Sequence, residues 1–487
     1  MLIEVIFGIP AAFACGAIIF AAKSAPRGRH GHMSVRPLIW GAAVASVGMT
    51  ALALIAWSTR EDTHYDDFGS AMSVLAGIYS GSLLIFGLGP FVPWLLGILG
   101  RNSARLPRVF RPAVRHVGHT SGRTATGMAA TMVAVAVATA LMVIIPAMTS
   151  HGRANYYPNA QPGALVVAGF SAEQAATVRT AIQQELPGSV PIVENVRVDG
   201  PGSFLVTTSD RTSQWPGAYI GDQTLLRYLT GNPATPYHEG TAVLVLSDGE
   251  EITSAELEYS SSTTDDSSTI KSIPAIIVKA PDPHFGRLFI PREAVLALGF
   301  RLEPQEFIID PSHYRVSVAE QERLDRRLGE TAFTELEQGY QAPTEWWYVV
   351  AVAILIALAG APLATRSAAS ERILLRISGG SAATLRFLVS CRAAVSAACG
   401  TAIGATAGCV IGLCLIWPMT ASIDWEPTPR APFETPWPAI VALIAALPVL
   451  AAATAVLASP AWLTRLSRAL RRGPSAAPEP QEGAPTP

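Results

Sequence analysis

The chain of 487 residues is half hydrophobic, only 15% charged, and has a mean hydropathy of +0.33. Ordinary soluble domains carry about 25% charged residues, so this composition excludes a wholly soluble globular protein and points to a lipid bilayer. The net charge of −2 says nothing about partners, because the charges are segregated by region.

A bilayer-crossing helix needs about 20 predominantly apolar residues. Seven runs qualify: Leu2 to Ala22, Pro37 to Trp57, Ala71 to Leu99, Ala125 to Met148, Trp346 to Ala364, Arg386 to Trp417, and Trp437 to Ala458. The first has no basic segment before it, and Lys23 and Arg27 follow it, which argues against a signal peptide. The third contains Gly87, Gly89, Pro90 and Pro93, so a kink is predicted there, tolerated where neighbouring helices satisfy the freed carbonyls.

Basic residues in the loops set the orientation. Lys23, Arg27, Arg29 and Arg36 follow the first run without an acid, whereas Glu61, Asp62, Asp66 and Asp67 follow the second. Arg101, Arg105, Arg108, Arg111, Arg115 and Arg123 follow the third. This alternation predicts a multi-pass cell-membrane protein with its N-terminus outside and its C-terminus in the cytoplasm. The Asp424 to Glu434 loop then lies outside. Arg465, Arg468, Arg471 and Arg472 close the chain inside, before a Pro/Ala/Glu tail from Gly473 that reads as disordered.

The polar stretch from Ser150 to Thr344 becomes extracytoplasmic. All five cysteines (Cys15, Cys391, Cys399, Cys409 and Cys414) fall in or beside the apolar runs, so this domain must be held by its own core rather than by disulfides. Its pattern alternates. Gly163 to Ala168 reads as a strand. Ser171-Ala-Glu-Gln174 reads as a capping box opening a helix to about Leu186. Pro191 to Val196 and Phe204 to Thr207 are predicted strands. Ala242 to Leu246 and Ile273 to Val278 flank a Ser/Thr/Asp-rich turn, Ser260 to Thr269, and suggest a long hairpin. Phe307 to Ile309 precedes a second capping box, Ser317-Val-Ala-Glu320, and a helix to Leu328. Interleaved strands and helices predict an α+β domain.

The fold class is therefore an α-helical polytopic membrane protein of about seven transmembrane helices with one extracytoplasmic α+β domain. Residues 1–100 hold three spans, and 101–149 a basic amphipathic lead-in and the fourth. The external domain occupies 150–344. Residues 345–460 hold three more spans around a cytoplasmic segment, 366–386, and 461–487 form the tail.

That segment carries the mechanism. Ile373, Leu374 and Ile377 fall on one helical face, while Arg372 and Arg376 share another at i, i+4 spacing. Gly379-Gly380 ends the turn, since glycine takes the left-handed cap cheaply, and Ser381 caps the next helix. A short amphipathic helix, a glycine break and a long membrane helix make a lever. An interfacial anchor that satisfies the positive-inside bias is the plainer alternative.

The region resembles the signature of FtsX-like or MacB-like ABC transporter permeases. Glu371, Leu374-Leu375-Arg376 and Gly379 match a charged stretch that precedes a helix with glycines four apart, here Gly400, Gly404 and Gly408. Val114-Arg115-His116 with Gly122-Arg123-Thr124-Ala125 is similar to the family's lead-in to the helix before the external domain. Ala218-Tyr-Ile-Gly-Asp222, then Leu225-Leu226 and Gly231, is similar to a stretch of the MacB-like external domain. The resemblance covers about residues 105 to 460. One departure is Arg392, where relatives usually carry Glu; it is expected to snorkel to the cytoplasmic headgroups. Another is the set of three leading spans, since ten-span members join two such modules. The first run resembles the last, and the chain reads as a truncated, split or shortened permease.

The resemblance implies that a separate ABC-type ATPase subunit binds the cytoplasmic segment, and that ATP turnover moves the spans and the external domain together. It also implies a homodimer or heterodimer of permeases in membrane lipid, and no nucleic-acid partner. No Gly-x-x-x-x-Gly-Lys-[Ser/Thr] loop occurs in the sequence, so the chain is not expected to be an enzyme or to need a cofactor, ATP being bound by the partner. Glu371, Arg372 and Arg376 are the candidate ATPase-facing charges, with Ile373, Leu374, Leu375, Gly379 and Gly380 completing the coupling site. Gly400, Gly404 and Gly408 are candidate helix-packing residues, serving intrachain packing or a subunit interface.

No His-Glu-x-x-His or Gly-x-Ser-x-Gly occurs, and no metal or catalytic site is expected. His30 with His32, and His116 with His119, read as solvated basic loops. Asp265-Asp266 reads as a hairpin tip, and Trp346-Trp347-Tyr348 as an interfacial belt. Two functions follow. One is export or extraction of a lipid, peptide or antibiotic. The other is mechanotransmission without transport, activating a cell-wall hydrolase or reporting an antimicrobial peptide to a sensor kinase.

Overall fold

A computed structural model describes residues 8–25, 35–60, 67–101, 121–187, 190–199, 204–208, 218–246, 252–260, 269–280, 282, 285–365, 382–421 and 430–457. The chain divides into two compact units, one of Met1–Ala154 with Ala342–Pro487, the other of Asn155–Gln341.

The first unit is helical. Its described helices are α1 (Ile9–Ser24), α2 (Arg36–Ser58), α3 (Asp67–Leu88), α4 (Phe91–Arg101) and α5 (Ser121–Ala154). After the second unit come the helices that we number α10 (Glu345–Thr365), α11 (Ala382–Met419) and α12 (Trp437–Leu457). Among the described residues, five stretches are long and apolar enough to cross a membrane: Arg36–Ser58, Ala71–Leu99, Thr124–Ala154, Arg386–Met419 and Trp437–Leu457. The other two expected spans correspond to shorter apolar helices, Ile9–Ser24 and Glu345–Gly360.

The predicted kink is the break between α3 and α4. There Gly89 N–H donates to the Phe86 carbonyl and Val92 N–H to the Gly89 carbonyl, so a turn replaces helical bonding. Pro90, which has no N–H, withdraws nothing further. Gly89 also permits close approach to α1, because a Cβ there would lie 2.6 Å from the Ala17 carbonyl oxygen.

α5 is the most enclosed span, with 78% of its apolar window buried, whereas α2 and α12 bury only 17% and 22%. The last two expose large apolar side chains such as Trp40, Leu54, Val441 and Val449. Such exposure suits helices facing hydrocarbon, since water would penalise it.

The second unit is α+β. Ten described strands form one mixed sheet in the order β10-β1-β9-β2-β4-β8-β5-β7-β6-β3. They are β1 (Leu165–Ala168), β2 (Ile192–Asp199), β3 (Phe204–Thr208), β4 (Tyr219–Gly221), β5 (Ala242–Leu246), β6 (Ser254–Tyr259), β7 (Thr269–Lys279), β8 (Arg287–Pro291), β9 (Arg301–Ile309) and β10 (Phe333–Leu336). Its described helices are α6 (Ala175–Glu185), α7 (Gln223–Thr230), α8 (Arg292–Leu296) and α9 (Val318–Leu328).

Successive strand residues point to opposite faces, and both faces are covered. Leu165, Val167, Phe307 and Ile309 pack with Val178 and Ile182 of α6 and Leu324 and Leu328 of α9. Ile308, between two of them, joins Leu225, Leu226 and Leu229 of α7 on the other side.

The expected hairpin is corrected. β5 and β7 pair in parallel, Ala242 opposite Ala275 through Leu246 opposite Lys279. It is β6 that turns back onto β7, antiparallel from Ser254 opposite Pro274 to Tyr259 opposite Thr269. In sequence the polar stretch follows Ser254–Tyr259, whose Ser-Ala-Glu-Leu-Glu-Tyr alternation is half polar and so a weaker strand signal than the apolar β5.

The two capping boxes differ. At Ser317 the box is complete: the Ser317 side chain accepts from Glu320 N–H, and Ser317 N–H donates to the Glu320 carboxylate at 2.8 Å. These bonds hold the Glu320 carboxyl below its usual pKa. At Ser171 the expectation is corrected. The helix starts at Ala175 with no side-chain cap, and only the return bond forms, from Ser171 N–H to the Gln174 side chain at 2.9 Å.

Candidate functional site

α10 ends at Thr365 and α11 begins at Ala382, so the chain between them contains the whole candidate coupling site. Glu371, Arg372, Ile373, Leu374, Leu375, Arg376, Gly379 and Gly380 lie outside the described residues, as do His30, His32, Val114, Arg115, His116 and His119. On either side of that segment stand the helices α10 and α11.

Gly400, Gly404 and Gly408 recur every four residues and therefore share one face of α11. That face lies on α5. A Cβ at Gly400 would approach the Met128 carbonyl oxygen to 2.8 Å, while one at Gly404 or Gly408 would overlap the carbonyl oxygens of Met132 and Ala136. Gly412 continues the row, 3.0 Å from the Ala140 carbonyl oxygen by the same measure. It obeys the same spacing and was within reach of sequence reasoning. The row meets α5 carbonyls that are themselves four residues apart, so the two backbones touch along three turns. Small residues permit this contact in a membrane, where dispersion and weak Cα–H···O bonds replace the hydrophobic drive.

α5 is also tied to α10. The Thr131 hydroxyl shares its single proton between the Ala357 carbonyl at 3.2 Å and the Gly127 carbonyl of its own helix at 3.1 Å. Gly360 leaves room for this hydroxyl, since a Cβ there would come within 2.9 Å of it. α5 is thus gripped between α10 and α11, the two helices that flank the candidate coupling segment in sequence. Thr124 and Ala125, from the lead-in, are buried in the first turns of α5.

Arg392 is corrected. It is only 6% exposed, in the first half of α11, and so is packed within the helical unit rather than extended to headgroups. Ser396, one turn further on, is likewise buried, as are Thr139 and Thr401. The hydroxyls of these two threonines have no hydrogen-bond partner among the described residues.

A separate fastening joins helix ends. Arg430 donates to the carbonyls of Thr59 and Arg60 at the end of α2, and to the Thr420 hydroxyl just past α11 at 3.2 Å. Its guanidinium lies 5.1 Å from the centre of the Trp417 ring. A planar cation with several donors suits this position, because helix C-termini leave carbonyls unsatisfied and carry partial negative charge.

In the α+β unit, the segments where the chain enters and leaves are fastened to each other. Glu337 is 3% exposed, and its carboxylate accepts from Tyr156 O–H at 2.6 Å, Asn159 N–H at 3.1 Å and Gly339 N–H at 2.7 Å. Its backbone also bonds Gly163 and Ala164. Burial, followed by the hydrogen bond to Glu337, pushes the Tyr156 phenol up to about 12. The Tyr156 and Tyr340 rings meet edge to face at 6.0 Å.

The stretch Ala218 to Gly231 has a local structural logic. The Asp222 side chain caps α7, accepting from Thr224 N–H at 2.9 Å and Leu225 N–H at 3.3 Å. Leu225 and Leu226 are fully buried, and Gly231 ends the helix at φ +60°. Sequence reasoning missed Glu337, Tyr156 and Arg430, because each acts across a long separation with no local pattern to mark it. No group of three or more His, Cys, Asp or Glu suited to a metal occurs among the described residues.

Compared with known proteins, the chain matches no family model and no curated protein.

Proposed function

We propose that this chain is the membrane permease subunit of an ABC transporter, with seven spans, its N-terminus outside and its C-terminus in the cytoplasm. A separate ATPase subunit docks on Glu371, Arg372 and Arg376. ATP turnover there moves α10 and α11, and the extracytoplasmic α+β unit moves with them to export or extract a lipid, peptide or antibiotic. The observation that carries this reading is the grip of α10 and α11 on α5. The α+β unit is inserted between α5 and α10, so the helices bordering the coupling segment are packed on those that lead into and out of the external unit. A shift of α11 must carry α5 or break the glycine contact, because close-packed helices do not deform continuously. The tight Glu337 fastening lets the two connections of the α+β unit respond together.

Affinity purification of the full chain from its native membrane tests this, with identification of what accompanies it. An ATPase is expected, and charge reversal at Arg372 and Arg376 is expected to lose it while membrane insertion is kept. Recovery of the ATPase at unchanged yield with the reversed chain would refute the docking role. A copurifying hydrolase or sensor kinase without substrate flux would favour mechanotransmission.

A further inference from the structure

The helical unit contains a cavity of about 290 Å³ walled by α3, α5, α10 and α11, with Pro10 of α1. Small residues line part of it: Gly81 and Ser82 on α3, and Ala136 and Ala140 on α5. The remaining wall is almost entirely aliphatic, and the Ser82 hydroxyl is already bonded to the Ile78 carbonyl at 2.8 Å. A charged or hydrated guest would lose its water there with no replacement. Apolar cavities of this kind exclude water and accept hydrocarbon.

The rim adds direction. Pro343, Trp346 and Val349 line one end of the cavity, at the start of α10, where Glu345 and the aromatic run mark the change from polar chain to apolar helix. Trp in such a place sits at headgroup depth, with its ring in hydrocarbon and its N–H toward water. Polarity therefore falls from an interfacial rim to a hydrocarbon interior, the gradient along a membrane lipid. Free acyl chains are the surrounding solvent of these helices, and Val349 at the rim is 44% exposed to it.

We propose that this cavity is a binding site for one acyl chain of a bilayer phospholipid, whose headgroup stays at the level of Trp346. The proposal goes beyond the permease reading and needs no ATPase; it rests only on these helices crossing a bilayer.

The test is photolabelling of the full chain in nanodiscs of phosphatidylcholine carrying a mid-chain diazirine, with adducts mapped by mass spectrometry. Adducts are expected on the cavity face of α5, between Ala140 and Met148, as well as on lipid-facing α2. Filling the cavity with Leu141→Trp or Ile78→Trp is expected to lower the α5 adducts about tenfold relative to those on α2, the equivalent of about 1.4 kcal/mol of site affinity. Adducts confined to α2 and α12, or α5 adducts unchanged in both filled variants, would overturn the proposal. If a variant fails to insert, its α2 adducts vanish too, and the wild-type map still decides. Absence of all adducts would count against the bilayer, whereas a missing ATPase would leave this map unaltered.

Discussion

The Tyr156 hydroxyl donates to the Glu337 carboxylate at 2.6 Å, across 181 positions of sequence, and so joins the two ends of the α+β unit. A buried carboxylate held by neutral donors depends on every one of them, because each lost donor leaves charge desolvated without compensation.

Tyr156→Phe is therefore expected to lower the stability of the α+β unit by about 1–3 kcal/mol. Hydrogen exchange should show it first at the Asn159 and Gly339 amides, which share the carboxylate. The pH dependence has a definite sign. The native phenol titrates near 12, and an unfolded tyrosine near about 10, so the native state holds its proton more tightly. The contribution is complete below about pH 10 and is lost as pH rises toward 12. Wild-type stability should fall over that window more steeply than that of Tyr156→Phe, and parallel curves would contradict the assignment.

Gly404→Ala and Gly408→Ala each place a methyl group on an α5 carbonyl oxygen. Neither neighbour is the mobile tip of a side chain, so the helices must separate, and a loss of about 1–3 kcal/mol is expected for each. Gly240, with open space around it, serves as the control, and its alanine variant should stay within about 0.5 kcal/mol. Thermal melts of the full chain in detergent compare them. Equal melting of Gly404→Ala and Gly240→Ala would show that the α5–α11 contact is looser than described.

Thr139→Val should raise stability, by about 1 kcal/mol, by exchanging a buried hydroxyl that has no partner among the described residues for a methyl of similar size. The same change at Thr131, whose hydroxyl reaches across to Ala357, should be destabilising. Melts that ranked the two variants in the opposite order would reverse the roles given to these hydroxyls.

The membrane character was legible in the sequence because hydrocarbon imposes it locally: a span must be predominantly apolar over about 20 consecutive residues, and its backbone groups must bond within their own helix. The kink at Gly89-Pro90 and the complete box at Ser317 were legible for a related reason, since a missing N–H and a reciprocal cap act within one turn. Pairing was not. Whether β5 joined β7 in parallel or as a hairpin depended on β6, a half-polar strand whose identity is settled by the sheet that receives it. Only the tertiary structure decided that Gly400, Gly404 and Gly408 lie on α5, that Arg392 is buried, and that Glu337 receives Tyr156. Such contacts are chosen by surfaces meeting across many residues, and no local pattern encodes the partner.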